Sequence, residues 1–247
     1  VPLMKLRLAQ PKVLVDLGRI DGLSYIRESG GGLAIGAMTS YADIHGSDLV
    51  QARAPALAEA AGVVADPLVR NMGTIGGNLA HADPASDLPA VALALGAQLT
   101  TSSRTIAIDD FFVDLLTTSL EAGEILTEVT IPAPGPGTGS AYVKFANKAS
   151  HYAVVGVAAL LAVDSDGVCQ NARVGITGAG PKAVRASATE AALRGSRLDD
   201  AAIRGAADQA GAGIDFNEDV HASGEYRAHL TTVFARRAIE QAVSRAS

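Results

Sequence analysis

Met72 to Pro89 reads M-G-T-I-G-G-N-L-A-H-A-D-P-A-S-D-L-P, with three glycines, a threonine, an asparagine and two carboxylates in one turn-rich stretch. Thr74, Ile75, Gly76, Gly77 and Asn78 could offer consecutive amide N–H groups, a hydroxyl and a side-chain amide to an anion. Glycines there let another group approach the backbone without a Cβ in the way. The spacing is G-x-x-G-G with no Lys-Ser or Lys-Thr after it, so neither the dinucleotide fingerprint nor a P-loop is present. Two readings stay open: a cradle for a phosphorylated cofactor, or a tight turn that only reverses the chain. The apolar run Leu88 to Leu95 follows at helical length, and Asp87 stands where it could cap that helix.

Other chemistry-bearing residues form weaker patterns. His81, Asp83 and Asp87 straddle a proline at a spacing that fits no standard metal geometry. No nucleophile elbow is present. Gly178-Ala-Gly180-Pro-Lys-Ala183 satisfies G-x-G-x-x-A, with Asp199 near the position of a ribose-binding acid. Yet Ala191 to Leu198 lacks the strand that should deliver that acid, and Pro181 removes a needed N–H. We expect a strand-to-helix turn there, with a nicotinamide enzyme as the rival reading. No catalytic side chain and no metal ligand is expected.

The elements that must position these residues belong to a globular protein: 48% of residues are hydrophobic and 19% charged. The net charge of −6 is uneven, with 15 Asp/Glu against 8 Lys/Arg in residues 1–138. That acidic half argues against nucleic acid, which demands a basic footprint. Cys169 is the one cysteine, too few for an iron–sulfur cluster. The longest apolar run, Ala153 to Val163, is too short to span a bilayer. No signal-type start is visible, so the expected location is cytoplasmic.

Short strands are predicted at 13–15 and 33–35 and helices at 39–45 and 54–65. Strands follow the 88–95 helix at 97–101, 104–108 and 124–131. Pro132 to Gly139 reads as a linker. Beyond it, 140–146, 153–164 and 168–177 suggest a three-stranded antiparallel sheet. Helices follow, with Ser187 and Glu190 as a capping box and with Asp199 and Ser223 as caps. Tyr226, Leu230, Val233, Phe234 and Ile239 form the core stripe of the last helix. Strands and helices in separate blocks indicate an α+β fold with domains at 1–135 and 139–247.

Several ordered segments carry a family resemblance. They are Pro2 to Leu17, Leu33 to Thr39, the Val69 to Ala90 stretch, Tyr142-Val-Lys-Phe-Ala, His151 to Ala159 and Asp219 to Leu230. Together they resemble the FAD-binding (medium) subunit of molybdenum hydroxylases, of the carbon monoxide dehydrogenase type. The resemblance implies an FAD-binding domain followed by the C-terminal flavoprotein domain, with FAD on Thr74, Ile75, Gly76, Gly77 and Asn78. It places Asp87 by the ribityl hydroxyls, Lys144 near the flavin and Tyr152 against its edge, although His151 stands where the family has an acid. It further implies electron transfer from a small [2Fe–2S] subunit, beside a large molybdenum-cofactor subunit, to an external acceptor, in a dimer of heterotrimers.

The family has an earlier A-G-G-x-S loop just before the segment that opens this sequence at Val1. Each charge-assisted hydrogen bond from such a loop contributes about 1.5–3 kcal/mol. Loss of two or three would weaken FAD by on the order of a thousandfold. The expectation is weak FAD binding by these residues alone. The alternative function is a non-catalytic assembly subunit, or a fragment that no longer holds FAD.

Overall fold

The computed structural model describes residues 2–246; the outermost residues of the two expected domains, Val1 and Ser247, lie outside them. The N-terminal part contains α1 (Pro2–Lys5), β1 (Ile26–Ser29), β2 (Gly32–Gly36), α2 (Tyr41–Gly46), α3 (Asp48–Arg53) and α4 (Pro55–Gly62). It continues with α5 (Pro67–Arg70), α6 (Ile75–His81), α7 (Asp87–Leu95), β3 (Gln98–Thr101) and β4 (Thr105–Ala107). β5 (Phe112–Asp114), β6 (Thr117–Thr118) and β7 (Leu126–Ile131) complete it. β8 (Thr138–Ala146), β9 (Ala153–Val163), β10 (Cys169–Thr177), β11 (Val184–Arg185), α8 (Ser187–Leu193), α9 (Asp200–Ala207) and α10 (Gly224–Val243) form the rest. The fold is α+β.

The first sheet runs β1-β2-β7-β3-β4 and the second β11-β10-β9-β8, both antiparallel. The second sheet therefore has four strands where three are predicted, because β11 folds back onto Gly175 and Ile176. No strand forms at 13–15, where Val13, Leu14 and Val15 are exposed and unpaired. β1 escapes the sequence pattern because its Arg27 and Glu28 face solvent at the sheet edge.

The most consequential helix is α7. All nine of its residues are buried, so it shows no polar face. One side packs in the N-terminal core with Leu57, Leu79 and Leu99; the other lies on β9 and β10. The approach to β10 is so close that a Cβ on Gly175 would sit 2.1 Å from the Ala90 carbonyl oxygen. Arg173 of β10 donates from Nε and Nη2 to the Leu93 carbonyl at 3.1 and 2.8 Å, completing the C-terminal end of α7 with a cation.

Asp199 and Ser223 cap α9 and α10 as expected. The Ser187–Glu190 box does not form. Glu190 is buried and turned to the sheet, where it accepts from the Val174 amide and from Arg185, and the helix begins after Ala186 without a side-chain cap. On α10, Leu230, Phe234 and Ile239 are buried, while Tyr226 is partly exposed. Among the described residues, no helix is long and apolar enough to cross a membrane.

Gly175→Ala should destabilise the protein by about 1–3 kcal/mol, because its methyl group overlaps α7 backbone that cannot move independently. Urea unfolding measures this; an unchanged midpoint would contradict the close contact.

Candidate functional site

The Gly-rich stretch is more ordered than its composition suggests. It is helix α6, whose first turn is capped by Thr74 Oγ1 accepting from the Gly77 amide at 3.2 Å. The Ile75 amide donates to the Thr39 carbonyl at 3.1 Å and the Gly76 amide to that of Ala37 at 2.8 Å. Both residues are buried. The expectation that these two amides face an anion is therefore corrected: they fasten α6 to the chain leaving β2. Gly76 is glycine because a Cβ there would lie 2.5 Å from that of Ala37. At Gly73 a Cβ would strike the Tyr41 ring at 2.3 Å.

Gly77 differs. It is exposed, and the one atom a Cβ would meet is the Thr74 hydroxyl that caps it, at 2.9 Å. Asn78 bridges two neighbours, donating to Tyr41 Oη at 2.7 Å and accepting from Ser86 Oγ at 2.8 Å. Ser86, not Asp87, occupies the N-cap of α7, and its hydroxyl is spent on Asn78 rather than on a helix amide.

Asp87 is free of capping because it has stronger partners. Tyr142 donates to its Oδ1 at 2.5 Å and Lys144 to its Oδ2 at 3.0 Å. Tyr142 and Lys144 stand two apart on β8, so both side chains leave the same face of the strand. Lys144 Nζ also donates to the carbonyls of Val63 at 2.8 Å and His151 at 2.7 Å. One ammonium thus joins α7, the end of α4 and the β8–β9 turn. Burial raises the Asp87 carboxyl above its ordinary value against the opposing pull of Lys144 and Tyr142. Burial, then the Asp87 charge, holds the Tyr142 hydroxyl neutral well into the alkaline range.

These elements enclose a cleft of about 730 Å³, lined by Thr74, Gly77, Asn78, Asp87 and Tyr152 of the expected site residues. Ile75 and Gly76 lie behind its wall. Lys144 lines an adjoining cavity of about 400 Å³ that shares Ala65 and His151 with the cleft. Tyr152 is half exposed at the rim, after His151 in the left-handed region at φ 59°. Asp66, Asp83 and Asp87 line the cleft, and no Lys or Arg does among the described residues. Such a lining accepts hydrogen bonds from hydroxyl groups. For a phosphate it offers the Thr74 hydroxyl, whose oxygen caps the Gly77 amide and whose proton is still free, beside backbone at Gly77 that carries no side chain, rather than formal positive charge.

Sequence reasoning missed Tyr142, although its two-residue spacing from Lys144 was a usable signal. It also missed Tyr41, which nothing local marks. The 178–183 turn leads into β11, not into a helix. The Gly178 amide there donates to the Pro84 carbonyl at 2.7 Å, so the turn clasps the cleft's own loop. Among the described residues no three His, Cys, Asp or Glu converge as a metal site would require.

Two family models match the chain: the FAD binding domain in molybdopterin dehydrogenase over residues 1–134, and the CO dehydrogenase flavoprotein C-terminal domain over residues 140–242. The carbon monoxide dehydrogenase medium chain of Hydrogenophaga pseudoflava is 39% identical over 249 residues, covering 99% of this chain and 86% of that relative. Subunit alpha of the 6-hydroxypseudooxynicotine dehydrogenase complex of Paenarthrobacter nicotinovorans is 38% identical over 250 residues, covering 100% of this chain and 84% of the relative. A solved structure of the Hydrogenophaga pseudoflava carbon monoxide dehydrogenase superposes with a TM-score of 0.95 at 41% identity, over 100% of this chain and 87% of that one. Quinoline 2-oxidoreductase of Pseudomonas putida gives 0.91 at 33% identity, over 98% of this chain and 86% of that one.

Lys144→Met should cost about 3–5 kcal/mol, because it strands a buried carboxylate. The sign of the pH effect follows from the raised Asp87 value. Such a group contributes fully below its unfolded pKa and loses that contribution as pH rises through the folded one. Without Lys144 the folded pKa climbs further, so the variant's urea midpoint should fall more steeply with pH between about 4 and 7 than wild type. Parallel profiles would refute the pairing.

Proposed function

We propose, from the premise that this chain belongs to the FAD-binding (medium) subunit family of molybdenum hydroxylases of the carbon monoxide dehydrogenase type, that its FAD lies in the cleft between α6 and the β8–β9 turn. The observation that carries this placement is the cleft itself. Exposed Gly77, the Thr74 cap, Asn78 and Asp87 meet there at the foot of one cavity with Tyr152 at its rim. The lining fits the cofactor's chemistry: carboxylates suit a polyol, an aromatic ring suits a flavin, and a glycine without side chain lets a diphosphate approach the helix start and the Thr74 hydroxyl.

When bound, FAD supplies a redox centre that exchanges electrons singly or in pairs, which links one-electron and two-electron partners. This chain's residues do the positioning. Thr74 and Gly77 set the helix start against the phosphates, with Ile75 and Gly76 acting through packing. Asp87 holds a fixed acceptor for ribityl hydroxyls, and Tyr152 limits access to the ring. Lys144 acts at one remove, neutralising Asp87 and fastening the turn that carries Tyr152.

The wider reading places the chain beside a large molybdenum-cofactor subunit and a small [2Fe–2S] subunit, in a dimer of heterotrimers that sends electrons to an external acceptor. The lone cysteine supports importing the iron–sulfur electrons from a partner. A cytoplasmic location belongs to the same reading.

Gly77→Val should leave the melting temperature within about 3 °C and weaken FAD by about tenfold or more, since its side chain enters the cleft rather than the core. Flavin fluorescence titration of the assembled complex reads the affinity. Unchanged binding with an intact complex would move the cofactor out of this cleft. A colourless complex that still assembles would favour the scaffolding alternative.

A further inference from the structure

Arg227 of α10 is distant in sequence from every residue of the cleft, yet it is 4% exposed and tied to the strand ends beneath it. Its Nη1 donates to the carbonyls of Val154 at 2.6 Å and Gly178 at 2.8 Å, and its Nη2 to Asp219 Oδ2 at 2.7 Å. The same two strand ends hold the loop that leads into α7. The Ala153 amide donates to the Ala85 carbonyl at 3.2 Å, and the Gly178 amide to that of Pro84 at 2.7 Å. Thr177 Oγ1 sits 2.7 Å from the Ser86 carbonyl oxygen and 2.8 Å from that of Pro84. Ala85, Ser86 and Asp87 line the cleft, and Tyr152 immediately precedes the strand that Arg227 grips.

From this geometry we infer that Arg227, oriented by Asp219, is a positioning residue for the flavin cleft, setting the separation between the Pro84–Asp87 loop and Tyr152. The inference rests on the placement of FAD in that cleft. Arg227 Nε is buried and has no hydrogen-bond partner among the described residues. The planar fork spreads its donors over two carbonyls and a carboxylate in one fixed geometry, which a lysine's single ammonium does not reproduce. Rigid support of this kind decides how closely a binding site holds its shape.

The test compares R227K and D219N with T189V in the assembled complex. Thr189 is an equally buried staple of the same domain, bonded to the Ala206 carbonyl and remote from the cleft. Visible circular dichroism of the flavin, FAD affinity, melting temperature and amide exchange at Ala153 and Gly178 are measured. R227K should weaken FAD by about tenfold, alter the dichroism and speed exchange at both amides, while its melting temperature falls no more than that of T189V. D219N should shift the same readouts less. Should R227K fail to fold, D219N carries the comparison, since it keeps the guanidinium and removes only its orienting partner. The inference is overturned if the variants lose melting temperature like T189V while dichroism, affinity and exchange stay as in wild type. Wild-type complex without flavin in the cleft would instead overturn the functional reading, and the exchange measurement would still report whether Arg227 braces the loop.

Discussion

One buried carboxylate organises the centre of this molecule. Asp87 begins a helix with no polar face and is taken out of water along with it, at a cost that only partners can offset. Both partners come from a strand in the other half of the chain. Tyr142 and Lys144 meet Asp87 because β8 turns that face toward the start of α7, and β8 is itself held by the Glu59 carboxylate, which accepts from the Tyr142 amide at 2.8 Å. Arg245 of the C-terminal segment closes the set by donating to the other oxygen of Glu59 at 2.5 Å. Two carboxylates of the N-terminal part, Asp87 and Glu59, therefore fasten β8 at Tyr142, one through its hydroxyl and one through its amide.

The cleft lies where those halves fail to close. Its floor is rigid because nearly every polar group in it is already used. Asn78 is shared between Tyr41 and Ser86, Ser86 is spent on Asn78, and the Ile75 and Gly76 amides are bound to the chain beyond β2. What remains for a ligand is a short set of groups: the exposed backbone at Gly77, the Thr74 hydroxyl, the carboxylates and one half-exposed tyrosine. A site assembled this way presents a fixed shape at little further entropic cost. Its acidic lining suits hydroxyl groups better than a diphosphate, for which it offers only the helix start at Gly77.

The glycines show why the sequence alone misreads this region. Gly73, Gly76 and Gly77 lie within five residues and look equivalent, and all three invite the same anion-binding interpretation. In the structure the first clears the Tyr41 ring, the second is buried against Ala37, and the third is exposed at the cleft with no distant group to clear. Nothing local distinguishes them, because the ring and the methyl group that confine Gly73 and Gly76 belong to Tyr41 and Ala37, more than 30 positions earlier in the chain.

Periodicity and caps determined a good deal by themselves. The alternation in β7, the apolar run of α7, the three long strands of the second sheet and the Asp199 and Ser223 caps all follow from interactions within a few residues. Tertiary structure decided the rest. It turned Asp87 from a helix cap into a buried ion-pair partner, tied Lys144 to three acceptors and sent Glu190 to the sheet instead of its own helix end. A cap is satisfied by the nearest amide, so spacing reveals it. A buried charge is satisfied by whatever distant partner the fold delivers, and only the packing of the two halves names that partner.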